Sequence, residues 1–189
     1  MNIACVVTAA GLSRRFGGDK LAFPIEGKPM GIRCLELYAS VPFSERLLVT
    51  SENRLYLREA AEALQYEVLL NSRPEEGMGL SVALGTQAVL EHVPDGILYA
   101  VGDQPYLTSK SVLDLLEAFE GEPDCIWVLG SKGKRGKPSI FPKSCFGELT
   151  QMQGDNGGRP VIRAHPDLLR MVEVDERELM DLDIREELL

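Results

Sequence analysis

The 189-residue chain has few of the residues that usually build metal, redox or membrane sites. Its four cysteines lie far apart without a CxxC pair, and its two histidines, His92 and His165, are isolated, which argues against a zinc or disulfide framework. No apolar run approaches the roughly 18 residues needed to span a bilayer, and the first residues do not have the pattern of a signal peptide. These absences predict a cytoplasmic protein that does not enter a membrane.

Negative charge exceeds positive charge, with 29 acidic residues against 20 lysines and arginines. The net charge is −9, whereas a protein that follows a nucleic-acid backbone needs a basic surface, so DNA and RNA are not expected partners. Seven of the 20 basic residues fall in two clusters, one comprising Arg14, Arg15 and Lys20 and the other the stretch KGKRGK at 132–137. A local basic patch on an acidic protein favours a small anionic ligand.

Apolar and amphipathic stretches alternate along the chain. Five short apolar runs predict buried strands, namely IACVVTA, ERLLVTS, YEVLL, DGILYAVGD and CIWVLG. Four amphipathic segments between them predict helices, namely PMGIRCLELYAS, ENRLYLREAAEALQ, LSVALGTQAVLEH and TSKSVLDLLEAF. The alternation predicts one α/β domain over 1–189, with a mostly parallel sheet between two layers of helices. The last third reads as a hairpin or lid and a mixed elaboration of the same sheet.

In such sheets ligands bind beyond the carboxyl ends of the strands. Three loops follow predicted strands there, at 9–20, 71–79 and 103–107, and we expect them to meet at one crevice. The first loop, TAAGLSRRFGGDK, is not an ATPase P-loop, because Leu21 stands where the metal-binding hydroxyl belongs. It is not a dinucleotide fingerprint either, because Gly11-Leu12-Ser13 lacks the second glycine.

The loop does resemble the A-A-G-x-S-x-R-[MF]-G-x-x-K signature of nucleotidyltransferases that activate small phosphorylated molecules with an NTP. Within that superfamily the chain is similar to the molybdenum cofactor cytidylyltransferases and guanylyltransferases. The likeness runs through nearly the whole chain, in GKPM at 27–30, NSRPEEGMGLSVALG at 71–85, VGDQPYLT at 101–108, GKPSIFP at 136–142, GDNGGR at 154–159 and DLDIREEL at 181–188. The resemblance implies a Rossmann-like three-layer fold, with a nucleotide-binding part at 1–108 and an acceptor-binding elaboration at 130–189.

The resemblance also implies roles for individual residues. Arg15, Lys20 and Asp103 would act in catalysis, the two basic residues by neutralising phosphates. The implied nucleotide-binding residues are Ala9, Ala10, Gly11, Leu12, Ser13, Arg15, Lys20, Asn71, Gly79, Ser81 and Asp103. A simple tight turn and a simple helix N-terminus remain the plainer readings of the first loop and of Ser81.

Asp103 would hold Mg²⁺, the implied cofactor, and a second carboxylate ligand is expected from Asp183 or Asp181. Two solvated acids before a terminal helix are the alternative there, since Ile-Arg replaces the family's Thr-Pro. Lys137, Asp155 and Arg159 would bind the acceptor. Lys137 stands where the family usually has a histidine, so a role that depends on that histidine is in doubt.

The implied reaction joins an NTP, with CTP favoured, to the phosphate of molybdopterin or the molybdenum cofactor and releases pyrophosphate. The substrates are then the implied partners, with a molybdoenzyme or its maturation chaperone as recipient of the product. Two alternatives remain open: a guanylyltransferase or another small-molecule phosphate nucleotidyltransferase, and a non-catalytic protein that binds and delivers the cofactor.

Overall fold

The computed structural model describes residues 1–13 and 16–181, so the predicted site residues Arg15 and Asp183 lie outside the described residues. The strands of the described chain are β1 (Ile3–Ala9), β2 (Pro24–Ile25), β3 (Lys28–Pro29), β4 (Glu45–Thr50), β5 (Glu67–Leu70), β6 (Gly96–Val101), β7 (Ile126–Ser131), β8 (Lys134–Pro142) and β9 (Leu169–Glu173). The α-helices are α1 (Met30–Ala39), α2 (Leu55–Ala63), α3 (Met78–Val89), α4 (Ser109–Gly121), α5 (Phe146–Leu149) and α6 (Arg159–Ala164). All nine elements expected from the five apolar runs and four amphipathic segments are present.

The main sheet has seven strands in the order β5-β4-β1-β6-β8-β7-β9. Strands β5, β4, β1 and β6 are parallel, and β8 runs antiparallel to both of its neighbours. The prediction of a mostly parallel, mixed sheet is therefore confirmed. The short pair β2-β3 forms a separate ribbon ahead of α1.

The sheet separates two apolar layers. Alternate side chains of β1 face opposite sides, so Cys5 and Val7 pack in the layer of α1, α2 and α4, while Ala4 and Val6 pack in the layer of α3, α5 and α6. Every residue of β1 is buried, as expected of a central strand covered on both faces. The three-layer α/β architecture is thus the direct result of continuous apolar strands between one-sided helices.

The predicted hairpin after residue 130 is formed by β7 and β8. Its turn lies at Lys132 and Gly133, which both have positive φ angles, 51° and 75°. The hairpin returns the chain into the sheet between β6 and β7, which places the last third of the chain on the same core. Within the described residues, no helix combines the length and the apolar character needed to cross a membrane.

Candidate functional site

A cleft of about 410 Å³ opens at the carboxyl ends of β1 and β6. Its walls come from the loop after β1, the start of α3, the end of β6 and one residue of the loop before α6. The lining residues are Thr8, Ala9, Ala10, Gly11, Leu12, Ser13, Phe16, Lys20, Leu21, Pro74, Glu75, Gly77, Met78, Ser81, Val101, Gly102, Asp103 and Asp155. The expected convergence of three loops on one crevice is therefore observed.

Some of the predicted residues lie elsewhere. Asn71 and Gly79 are buried behind the cleft wall and are not part of its lining. Only Asp103 of the loop 103–107 faces the cleft, since Gln104, Pro105 and Leu107 line a neighbouring depression. The acceptor candidates are divided as well, because Asp155 lines the cleft whereas Lys137 and Arg159 do not.

Lys20 and Asp103 meet inside the cleft. The ammonium Nζ of Lys20 donates to Oδ2 of Asp103 at 2.7 Å, and the Lys20 side chain is only 8% exposed. Lys20 reaches this position because it begins a short 3₁₀ turn, Lys20–Ala22, that packs against α1 through Leu21. The other carboxylate oxygen of Asp103, Oδ1, is buried and accepts no hydrogen bond from the residues that the structure describes.

Asp181 lies beside Lys137. Its carboxylate contacts Nζ of Lys137 at 3.4 Å. Partial removal from water raises the pKa of Asp181, Lys137 opposes that rise, and the negative charge of Asp103 adds to it. Asp181 is thus paired with Lys137, and its pKa responds to the charges of Asp103 and Lys20.

Carboxylate oxygens are the ligands that Mg²⁺ and Mn²⁺ prefer, so Asp103 and Asp181 fit a hard divalent cation. Of the described lining residues, Lys20 is the single cation, whereas Glu75, Asp103 and Asp155 are acidic.

Arg54 fixes the backbone of the first loop by hydrogen bonds, a role that the sequence motifs did not predict. The Arg54 guanidinium is 4% exposed, donates to the carbonyl oxygens of Ala9 and Gly11, and contacts Oδ1 of Asp19 at 2.9 Å. The hydroxyl of Tyr56 donates to the other oxygen of Asp19 at 2.9 Å. Because trans peptides place C=O and N–H on opposite sides, the N–H groups of Ala10 and Leu12 point away from Arg54.

The signal for Arg54 was present in the sequence. It follows the second predicted strand, ERLLVTS, at the same edge of the sheet as the first loop. Only its position after a strand end could have suggested it, since it belongs to no motif that was recognised.

The start of α3 offers free backbone donors to the cleft. Gly77, at φ 92°, precedes the helix, and no side chain caps the first turn. Ser81 in that turn lines the cleft, and its hydroxyl accepts a hydrogen bond from Nδ2 of Asn71 at 3.0 Å. Asn71 therefore orients Ser81 instead of reaching the cleft itself. Uncapped helix N-termini bind anions and polar oxygens.

Gly79 has a packing role in this wall. A Cβ at Gly79 would lie 2.5 to 2.7 Å from backbone atoms of Gln153, and the segment from Gln153 leads directly to Asp155. Gly79→Ala should therefore displace Asp155 and lower the free energy of unfolding by about 1–3 kcal/mol. Thermal unfolding would measure this, with Gly147→Ala as the control, because a Cβ at Gly147 meets nothing within 4 Å. Equal melting temperatures of the two variants would refute the close packing.

The family described as the MobA-like NTP transferase domain matches residues 5–169 of the chain. The purine catabolism protein PucB of Bacillus subtilis is 29% identical over 166 residues, which cover 84% of this chain and 80% of PucB. A probable molybdenum cofactor guanylyltransferase of Thermococcus kodakarensis is 33% identical over 64% of this chain, and the alignment spans just over half, 56%, of that relative.

A solved structure gives the same fold. The crystal structure of Rv0371c from Mycobacterium tuberculosis in complex with manganese matches with a TM-score of 0.82 at 22% identity. The match covers 100% of this chain and 96% of the other.

Proposed function

Since the chain belongs to the family of MobA-like NTP transferase domains, we propose that it couples a nucleoside triphosphate to the phosphate of a molybdopterin-type acceptor and releases pyrophosphate. The observation that carries this proposal is the cleft itself, in which the loop after β1, the start of α3 and the Lys20–Asp103 pair face one space. A small-molecule phosphate acceptor is supported by the names of several relatives.

The proposed chemistry needs no general base. A phosphate monoester acceptor is already mostly dianionic at pH 7, because its second pKa is about 6. Its oxygen attacks the α-phosphorus of the NTP, a P–O bond forms, and the bond to the departing pyrophosphate breaks. The protein then contributes positioning and charge stabilisation, as is usual for phosphoryl transfer.

The residues divide this work between them. The backbone of Ala10 to Leu12, held by Arg54, and the first turn of α3 bind the nucleotide. Lys20 turns from Asp103 to the phosphates and stabilises the charge on pyrophosphate, and Arg15 is proposed to assist it. Asp103, with Asp181 or Asp183, would hold Mg²⁺, which would supply further positive charge to the triphosphate. Asp155, Lys137 and Arg159 are proposed to position the acceptor.

The motifs AAG at 9–11 and GDQP at 102–105 favour CTP as the nucleotide substrate. A second candidate, GTP, is favoured by the guanylyltransferase names of relatives 28–33% identical to this chain. The product's recipient, a molybdoenzyme or its chaperone, follows only if the acceptor is a molybdopterin.

Pyrophosphate release tests the proposal directly. Purified protein with Mg²⁺ and molybdate-loaded molybdopterin is supplied with CTP, GTP or ATP in turn, and a matched reaction contains a chelator. Release with CTP alone supports a cytidylyltransferase. Release with GTP supports the same transfer reaction with guanine as the preferred base. If no nucleotide yields pyrophosphate while molybdopterin still binds, the protein is a cofactor carrier and the proposed reaction is wrong.

A further inference from the structure

Three side chains that could hold a metal ion meet at the amino ends of the strands, whereas the cleft lies at the carboxyl ends. Glu45 begins β4, Glu67 begins β5, and His92 ends the 3₁₀ turn Leu90–His92 that follows α3. One ligand atom from each lies within 4.8 Å of the others. The six residues of β4 separate this cluster from the cleft edge, a distance of about 16–20 Å.

The alternation of the strands brings the three side chains together. Glu45 shares a face of β4 with Leu47 and Val49, which pack in the apolar layer of α3. Glu67 stands opposite Leu47 in the parallel pair β4-β5. Because α3 runs antiparallel to the strands along this face, the turn after α3 places His92 near the starts of β4 and β5.

Glu45 is the least exposed member of the cluster. Its side chain is 10% exposed, and both carboxylate oxygens are buried without a hydrogen bond, although Nε2 of His92 lies 3.1 Å from Oε1. Burial raises the pKa of Glu45, the charges of Glu67 and Glu91 raise it further, and His92 opposes them. A carboxylate in such a place is costly unless positive charge and ligand contacts offset its desolvation.

We propose that Glu45, Glu67 and His92 form a binding site for a divalent transition-metal ion of the Zn²⁺ type, separate from the nucleotide cleft. The imidazole nitrogen favours Zn²⁺ over Mg²⁺ or Ca²⁺, and three protein ligands with a water complete a four-coordinate ion. Bonds of about 2.0–2.2 Å require the ligand atoms to approach to roughly 3.4 Å. Glu67 and His92 are exposed and can close on the less exposed Glu45.

The site has a structural consequence. β5 is an edge strand of the main sheet and pairs only with β4 among the described strands. A bound ion would tie β5 and the end of α3 to the start of β4. Ligands that bind only the folded state raise its stability, so Zn²⁺ should raise the melting temperature by several degrees.

Calorimetric titration of the chelator-treated full chain with Zn²⁺, in excess Mg²⁺ to occupy hard-cation sites, tests the proposal. We expect one ion per chain, and we expect Glu67→Gln and His92→Gln each to weaken binding at least about tenfold. The Zn²⁺-dependent rise in melting temperature should disappear in the same two variants. Both residues are exposed, so the variants should fold.

Three matched variants should bind Zn²⁺ like the parent. Glu91→Gln removes a neighbouring charge but no ligand, and Asp103→Asn alters the cleft. His165→Gln alters the other histidine, which also contacts a glutamate, with Nε2 at 2.5 Å from Oε1 of Glu148. The proposal is overturned if the parent binds no Zn²⁺ at about 100 µM, if Glu67→Gln and His92→Gln bind normally, or if His165→Gln loses binding equally.

Discussion

Asp103→Asn is expected to lower the rate of nucleotidyl transfer by about a thousandfold or more, the largest effect of any single change in the cleft. The amide keeps the shape of the side chain but loses the charge that neutralises Lys20 at 2.7 Å. The single oxygen of the amide stays with the Lys20 ammonium, so an NH₂ group takes the position of the buried oxygen Oδ1, the atom best placed to meet a cation. Steady-state release of pyrophosphate measures the loss in kcat.

Asp114→Asn is the matched control. Asp114 is an exposed carboxylate on α4 that also pairs with a lysine, Lys110, so its loss should change the rate by less than about twofold. Binding of molybdopterin to Asp103→Asn separates the two classes of function. Lost turnover with retained binding supports an enzyme, whereas a parent protein that binds without turnover is a carrier. Normal turnover in Asp103→Asn would remove Asp103 from the mechanism.

Arg54→Ala is expected to reduce the free energy of unfolding by about 3–5 kcal/mol and to raise KM for the nucleotide at least tenfold. The guanidinium is 4% exposed and donates to Asp19 and to the carbonyl oxygens of Ala9 and Gly11, so three buried or half-buried acceptors lose a charged donor together. The melting temperature should fall by about 6–20 °C for a domain of this size. The loop after β1 would then lose the orientation of its N–H groups toward the nucleotide.

Arg170→Ala is the control for the destabilisation, since Arg170 also contacts a carboxylate and two carbonyl groups but is 40% exposed. Its loss should cost under about 1 kcal/mol. Arg54→Lys keeps the charge with a single head group, so it should fold and show an intermediate KM. If Arg54→Lys is as unstable as Arg54→Ala yet binds nucleotide normally, Arg54 supports the fold and does not position the loop.

Much of the fold was predictable because buried segments have characteristic apolar patterns in the sequence. IACVVTA is apolar at every position and became the fully buried β1, and the amphipathic spacing of Val112, Leu115 and Phe119 became the core face of α4. The loop after β1 and Asp103 after β6 could be assigned to one cleft because parallel strands end at one edge. The hairpin after residue 130 was predicted, but the position of its second strand, the antiparallel β8 between β6 and β7, was not, because the sequence of a hairpin does not indicate where it joins a sheet.

Local sequence patterns were enough to predict the α/β class, the ends of the strands that carry the site, and the loop that faces it. Which side chains meet depends on the packing of distant segments, which places Asn71 behind Ser81 and brings Arg54 to the carbonyls of the first loop. The same packing gathers Glu45, Glu67 and His92 at the other end of the strands. The reason is the range of the interactions. Apolar periodicity is set by neighbours three or four residues away, whereas these contacts join residues 10 to 47 positions apart through the packing of the whole domain.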